Sequence, residues 1–331
     1  MPEFHHRTRT AGTDKPLTGD ARPEPGPIAF IGEFGAERIR ETIESAGGTV
    51  APLGADTRGL VLLHASAVDQ MKQALAEHEG IRWVQLPMAG VDAFVDSLAD
   101  YAERGLVVTS AKGAYSEPVA EHALTLTLAT LRELPEHIRA GGWGERRGLS
   151  LYGARVLIVG AGGIALEYLD LIRPFRPRVT VVRRRPEAVE GAERTITTDD
   201  IDEALPETDV VMLAAAANDG TRQLFDANRL GRLPSHAVLI NIARGPLVDT
   251  EALADALEAG RLHGAGLDVT DPEPLPEGHR LYENNRAIIT PHTADTDEMV
   301  EPLYAERVRE NVDAFMNTGA FVGLVDVKAG Y

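Results

Sequence analysis

The sequence predicts an α/β fold built on two doubly wound parallel sheets. Two observations carry this. Short apolar runs alternate with helical patterns twice along the chain, and the second alternation opens on a glycine-rich turn between a strand and a helix. Strands as continuously apolar as Val156–Val159 are buried on both faces, as parallel sheets covered by helices require. The 331 residues leave room for two domains with sizeable cores.

The first alternation reads as strand at 28–31, helix at 36–46, strand at 60–63, helix at 67–76 and strands at 81–86 and 106–109. Before it, residues 1–26 are polar, with Pro16, Pro23 and Pro25 closely spaced, and are expected to form a flexible tail. His5 and His6 lie there without Asp, Glu or Cys geometry around them, so no metal site is expected. A long helix follows over 117–134, with Ser116 as its N-cap and Pro118 in the first turn, where a missing N–H costs nothing. It is expected to bridge two domains.

The second alternation gives strands at 154–159, 178–182, 210–214, 237–242, 264–269 and 287–290, with helices at 164–172 and 250–258. Residues 299–317 are helical again and are expected to return to the first domain. The expected division is therefore a tail (1–26), one domain of 27–112 plus 296–331, and a second of 113–295.

Composition excludes several classes. Net charge is −18, from 33 Lys and Arg against 51 Asp and Glu, so a phosphate backbone is not the main partner and no nucleic acid is expected. The greasiest stretch, 120–131, is short and carries Glu121 and His122, so no membrane span is expected. With no cysteine and no apolar centre in the opening residues, the expected compartment is the cytoplasm.

Strand 156–159 runs into Gly160-Ala161-Gly162-Gly163-Ile164-Ala165, a G-x-G-x-x-A turn that opens a helix. Gly160 allows the tight turn, Gly162 lets backbone approach a pyrophosphate, and small Ala165 lets helix pack on strand, so the pyrophosphate can sit on the helix N-terminus beside Gly163 and Ile164. A strand before and a helix plus strand after make this a Rossmann-like dinucleotide site rather than a bare turn. Arg183-Arg184-Arg185 stand where an NAD enzyme puts an acidic residue, 23 residues after Gly160. Guanidinium groups there bind a 2′-phosphate through charge-assisted bonds, so NADP (as NADPH) is favoured over NAD. A methyltransferase using the same turn would want an acidic residue at that place.

Three further segments need a joint explanation: Asn241-Ile242-Ala243-Arg244-Gly245, Asp268 followed by Glu273-Pro274, and Thr290-Pro291-His292. With Ala89-Gly90-Val91-Asp92 and Val119-Ala120-Glu121-His122 upstream, the chain resembles the D-isomer-specific 2-hydroxyacid dehydrogenases, a group that includes glyoxylate/hydroxypyruvate reductases. Moving a hydride onto a carbonyl carbon builds negative charge on its oxygen, so the site needs a proton donor and a fixed cation. His292 and Arg244 suit those roles, and a carboxylate beside an imidazole orients the ring and favours its protonated form.

The resemblance implies that Glu273 is that carboxylate and that Asp268 contacts the nicotinamide amide. It also implies that Arg244 and the backbone N–H groups of Ala89, Gly90 and Val91 hold the carboxylate of a small-molecule 2-oxoacid. The domain of 27–112 plus 296–331 would bind substrate and the domain of 113–295 the dinucleotide, with the active site in the interdomain cleft and the chain paired as a homodimer through the long helix from Glu117 and the segment 131–143.

Taken singly, each residue has a plainer reading as an ion-pair partner, a turn or a solvated loop. Taken in this order behind a dinucleotide turn, they point to an oxidoreductase. The alternative is a dinucleotide-sensing, corepressor-like binding protein on the same fold. His122 is expected to be a satisfied structural histidine. Three departures from the family stand out. Gly163 lies where many members carry Arg or His, Ala216 and Asn218 replace the usual Pro and Thr, and Asp295 replaces a usual glycine and is expected to disfavour dicarboxylates.

Overall fold

The computed structural model describes residues 15–91 and 93–328, and separates the chain into two compact units. One comprises the residues up to Tyr115 together with those from Thr296 onward; the other is Ser116–Asp295. His5, His6 and Asp92 lie outside the described residues.

The first unit holds a parallel sheet of β1 (Ile28–Ile31), β2 (Gly59–Leu62), β3 (Trp83–Gln85) and β4 (Val107–Thr109), in the order β1-β2-β3-β4. A parallel bridge from Ile28 to Val50 adds a rudimentary strand on the other side of β1, so the chain reverses direction there and the sheet is wound both ways. Helices Ala36–Ser45, Val68–Glu77 and Val95–Glu103 make the crossovers. The third of these was not assigned from sequence, because its apolar positions are few and interrupted by acids.

Trp83 is fully buried, stacks near Phe315 and Phe321, and donates its indole N–H to Thr109 Oγ1 at 2.9 Å. The C-terminal helix Asp297–Asp313 belongs to this unit: Arg38 Nε donates to Glu301 at 2.8 Å and Tyr304 donates its hydroxyl to Leu62 O. In the segment read as a tail, residues 15–26 include a short turn at Gly19–Ala21, and Leu17 N–H donates to Gly319 O at 2.9 Å.

The second unit is a seven-stranded parallel sheet of β5 (Arg155–Val159), β6 (Arg178–Val182), β7 (Arg194–Ile196), β8 (Val210–Leu213), β9 (Val238–Asn241), β10 (Gly264–Leu267) and β11 (Ala287–Ile289). Its order is β11-β10-β9-β8-β5-β6-β7, so the direction of winding reverses between β5 and β8. Ligands of such sheets sit beyond the carboxyl ends of the strands at this reversal. The short edge strand β7 escaped the sequence reading because three residues, one of them charged, give no usable period.

Ser116–Leu131 forms the long helix, which ends three residues earlier than expected. Glu133 then takes a left-handed conformation (φ 50°), and a separate helix begins at Leu134. Ser116 is the first helical residue rather than a cap before it. The helix lies directly on β10 because that strand is Gly-Ala-Gly-Leu. A Cβ at Gly264 would lie 2.6 Å from Thr130 Cγ2, and one at Gly266 would lie 2.9 Å from Leu126 Cβ. Successive turns of the helix therefore track alternate residues of the strand.

Candidate active site

The dinucleotide turn leaves β5 at Val159. Gly160 has φ +113°, its N–H donates to Val182 O at 2.8 Å, and a Cβ there would stand 2.5 Å from the carbonyl oxygen of Ala214. No side chain fits that position. Gly162 is the N-cap of the ten-residue helix Gly163–Ile172, no side chain caps that end, and a Cβ on Gly162 would meet nothing within 4 Å. Uncapped helix N–H groups opening onto free space form a cradle for an anion, so a dinucleotide pyrophosphate fits the residues present. Gly163 and Ile164 start the helix half-buried, and Ala165 is buried. On the neighbouring strand, Arg183 follows the last residue of β6, while Arg184 and Arg185 are exposed.

Arg244, Glu273 and His292 come from loops that leave three adjacent strands. In the register, Asn241 at the end of β9 pairs with Leu267 at the end of β10, which pairs with Ile289 at the end of β11. Each loop is shaped by its own polar residue. Buried Asn241 accepts the Ala243 N–H through Oδ1 (3.1 Å) and donates through Nδ2 to Arg244 O (2.9 Å). The half-buried Arg244 side chain donates to Ala243 O at 2.7 Å. Gly245 lies on the loop after β10, for a Cβ there would stand 1.8 Å from Thr270 O. That loop is tied down by Thr250, which donates to Asp271 O at 2.7 Å, and carries Glu273 to within 2.6 Å of His292 Nδ1. His292 itself is left-handed (φ +50°), a conformation that costs free energy and survives only where surroundings impose it.

Asp268 does the imposing. It is 2 % exposed, and its carboxylate accepts Thr290 Oγ1–H (2.6 Å), Thr293 N–H (2.9 Å) and Ala294 N–H (3.1 Å), while its carbonyl accepts His292 N–H (2.9 Å). Burial alone would push this carboxyl up, but donors including His122, Thr290 and the Thr293 N–H outweigh it and hold it below the usual carboxylate range. Asp295 goes the other way. Burial and the Asp268 charge push its carboxyl up against the pull of His292 and Arg244, so all three charges act on this carboxylate.

The structure thus brings the Arg244, Glu273, Asp268 and His292 loops together. It sets Gly160, Gly162, Gly163, Ile164, Arg183 and Arg184 along the same carboxyl edge of one sheet. Asp268, expected to contact the nicotinamide amide, has its carboxylate engaged by its own loop and by His122. Ala89, Gly90 and Val91 belong to the first unit, in the turn after β3, where Val91 is buried and Met88 O accepts the Ala111 N–H at 3.0 Å. The part Asn241 plays in shaping the Arg244 loop was missed from the sequence, whereas His122, expected to be a satisfied histidine, is satisfied by Thr290. The signal for Asn241 was present, since a buried amide at a strand end either bonds its own loop or goes unsatisfied.

A glycine turn at the winding reversal, with a cation and a carboxylate-paired imidazole on the same sheet edge, defines a nicotinamide-dependent oxidoreductase. Residues 123–294 match the family "D-isomer specific 2-hydroxyacid dehydrogenase, NAD binding domain". The chain is 38 % identical over 264 residues to an uncharacterized protein in the proB 3′ region of Corynebacterium melassecola, covering 76 % of this chain and 84 % of that one. It is 29 % identical to a glyoxylate reductase of Pyrococcus furiosus, covering 89 % and 90 %. Among solved structures, a D-isomer specific 2-hydroxyacid dehydrogenase from Xanthobacter autotrophicus Py2, in complex with NADPH and MES, superposes with a TM-score of 0.75 at 26 % identity, covering 93 % and 100 %.

The chain belongs to the D-isomer-specific 2-hydroxyacid dehydrogenase family. It is an NAD(P)-dependent enzyme acting on the CH–OH group of 2-hydroxy acids or, in reverse, on 2-oxo acids. No helix among the described residues is long and apolar enough to cross a membrane.

Proposed function

We propose that the chain is an NADPH-preferring reductase of small 2-oxo acids of the glyoxylate and hydroxypyruvate type. The observation that carries this is the 2.6 Å contact between His292 Nδ1 and Glu273 Oε1 on the sheet edge that holds Arg244. Bound nicotinamide supplies the hydride. His292 gives the proton to the carbonyl oxygen from Nε2, since Nδ1 faces Glu273, and Glu273 fixes the orientation of the ring. Arg244 forks onto the substrate carboxylate and keto oxygen, offsetting the charge that builds there. A binding-only role has no use for an imidazole held this way.

Turnover of glyoxylate and hydroxypyruvate, followed by the absorbance of reduced nicotinamide, is the test. No turnover of any small 2-oxo acid with either cofactor overturns the reading. Arg183 and Arg184 are assigned to the 2′-phosphate. Changing both to serine is expected to lower kcat/KM for NADPH by about 10- to 100-fold, the worth of lost charged hydrogen bonds, with NADH changed little. A wild-type enzyme that prefers NADH refutes this assignment.

The working form is a homodimer on this reading. Ile138 and Trp143 are 78 % and 98 % exposed, an apolar display that a monomer gains nothing from. Sedimentation velocity should give twice the chain mass, and Trp143→Glu should shift the population toward monomer. A monomeric wild type at micromolar concentration rules the dimer out.

A further inference from the structure

We propose that His122 is a positioning residue for the reaction, holding the His292 loop through Thr290 and Asp268. This rests on the assignment of His292 as proton donor and goes beyond it, because His122 touches none of the reacting groups named above.

The long helix Ser116–Leu131 is seated on the glycine track of β10. Thr130 packs over Gly264 and Leu126 over Gly266. One helical turn earlier stands His122, and two residues further along the strand direction stands Asp268. The close approach that the two glycines permit brings the imidazole within reach: His122 Nε2 lies 3.0 Å from Thr290 Oγ1 and 3.4 Å from Asp268 Oδ1.

Proton positions follow from the partners. Asp268, ionised, can only accept, so the hydroxyl proton of Thr290 goes to Asp268 Oδ1 across 2.6 Å. The hydroxyl then has only lone pairs left, so His122 Nε2 must be the donor to it. Three groups from three segments are locked in one direction, His122 to Thr290 to Asp268. Asp268 in turn fixes both sides of His292, through the N–H groups of Thr293 and Ala294 and through its own carbonyl on the His292 N–H. A left-handed His292 depends on those bonds. With the His122 donor gone, Thr290 Oγ1 loses a partner and Asp268 loses its nearest side-chain N–H donor. The loop that aims His292 is then held on one side only.

The test uses the full-length enzyme with His122→Leu, His122→Gln, Thr290→Val and the double variant H122L/T290V. The leucine variant should lower kcat about 10- to 100-fold, the effect of misaiming a catalytic group by an ångström or less. KM for the 2-oxo acid and the Kd for NADPH, read by nucleotide fluorescence, should stay within about twofold, because the bonds of His122 go to Thr290 and Asp268 and no ligand contact is assigned to it. Glutamine, which carries an N–H at similar reach, should recover most of kcat. The double variant should be no slower than the slower single, since both break one chain.

Unchanged kcat in His122→Leu, or loss of NADPH affinity in step with kcat and without rescue by glutamine, overturns the inference. If the leucine variant does not fold, Thr290→Val decides: it must show the same kcat loss with NADPH binding intact. A wild type with no reductase activity defeats the functional reading itself, whereas an active wild type with an unaffected His122→Leu defeats only this inference.

Discussion

Replacing His292 by asparagine or alanine should lower kcat for 2-oxo acid reduction by about 10²- to 10⁴-fold, the range over which a positioned general acid contributes. The Kd for NADPH should hardly move. The asparagine variant matters because of the backbone: position 292 sits at φ +50°, where asparagine is tolerated and alanine adds strain. Alanine therefore removes the acid and loosens the loop, whereas asparagine removes the acid alone. If the donor assignment holds, both variants lose most of the rate and the asparagine variant keeps a wild-type melting temperature. If the asparagine variant keeps its rate while alanine loses it, the residue acts through loop geometry and another group gives the proton. Glu273→Gln should fall between, because the amide can still meet the ring at the 2.6 Å contact but brings no charge to it.

The two sheets were legible in the sequence for a definite reason. Parallel strands buried on both faces, such as Val156–Val159 and Val210–Leu213, must be continuously apolar, and that pattern survives in a single chain. Gly160 was equally legible: the tight turn it implies is enforced by the Ala214 carbonyl, 54 residues away. Elements of little burial were not. The β7 edge strand and the helix Val95–Glu103 contribute few apolar positions, and tertiary contacts rather than local pattern hold them.

Arg244, Glu273 and His292 came from a resemblance, not from spacing, since nothing local tells a strand-end arginine from an ion-pair partner. What joins them in the fold is register. Asn241, Leu267 and Ile289 end their strands side by side, so loops separated by tens of residues emerge together. His122 was read as a satisfied histidine and is satisfied. The glycines at 264 and 266 that bring it to Asp268 were read only as strand residues, because a helix laid on a strand leaves no signal at either segment alone.

Arg244→Gln is expected to cost about 10²- to 10³-fold in kcat/KM, or about 2.7–4 kcal/mol, the effect of deleting one fixed donor from a site where charge develops on oxygen. The loss should divide between the two constants. KM rises because the substrate carboxylate loses its fork, and kcat falls because the keto oxygen loses its cation in the transition state. Folding should be spared. Asn241 shapes this loop by bonding the Ala243 N–H and the Arg244 carbonyl, and neither bond uses the guanidinium.

Arg244→Lys separates charge from shape. A lysine keeps the cation but cannot bond carboxylate and ketone at once, so it should recover KM more than kcat. Asp295 sharpens the expectation further. Arg244 and His292 are the cations that oppose the upward push of burial on its carboxyl, so removing Arg244 leaves an acid in the site that takes up a proton more readily. Asp295→Gly in the Arg244→Gln background should therefore change the pH dependence of the residual activity. A glutamine variant within about threefold of wild-type kcat/KM, a difference below 1 kcal/mol, would take Arg244 out of the site and leave the substrate carboxylate to be held by something else.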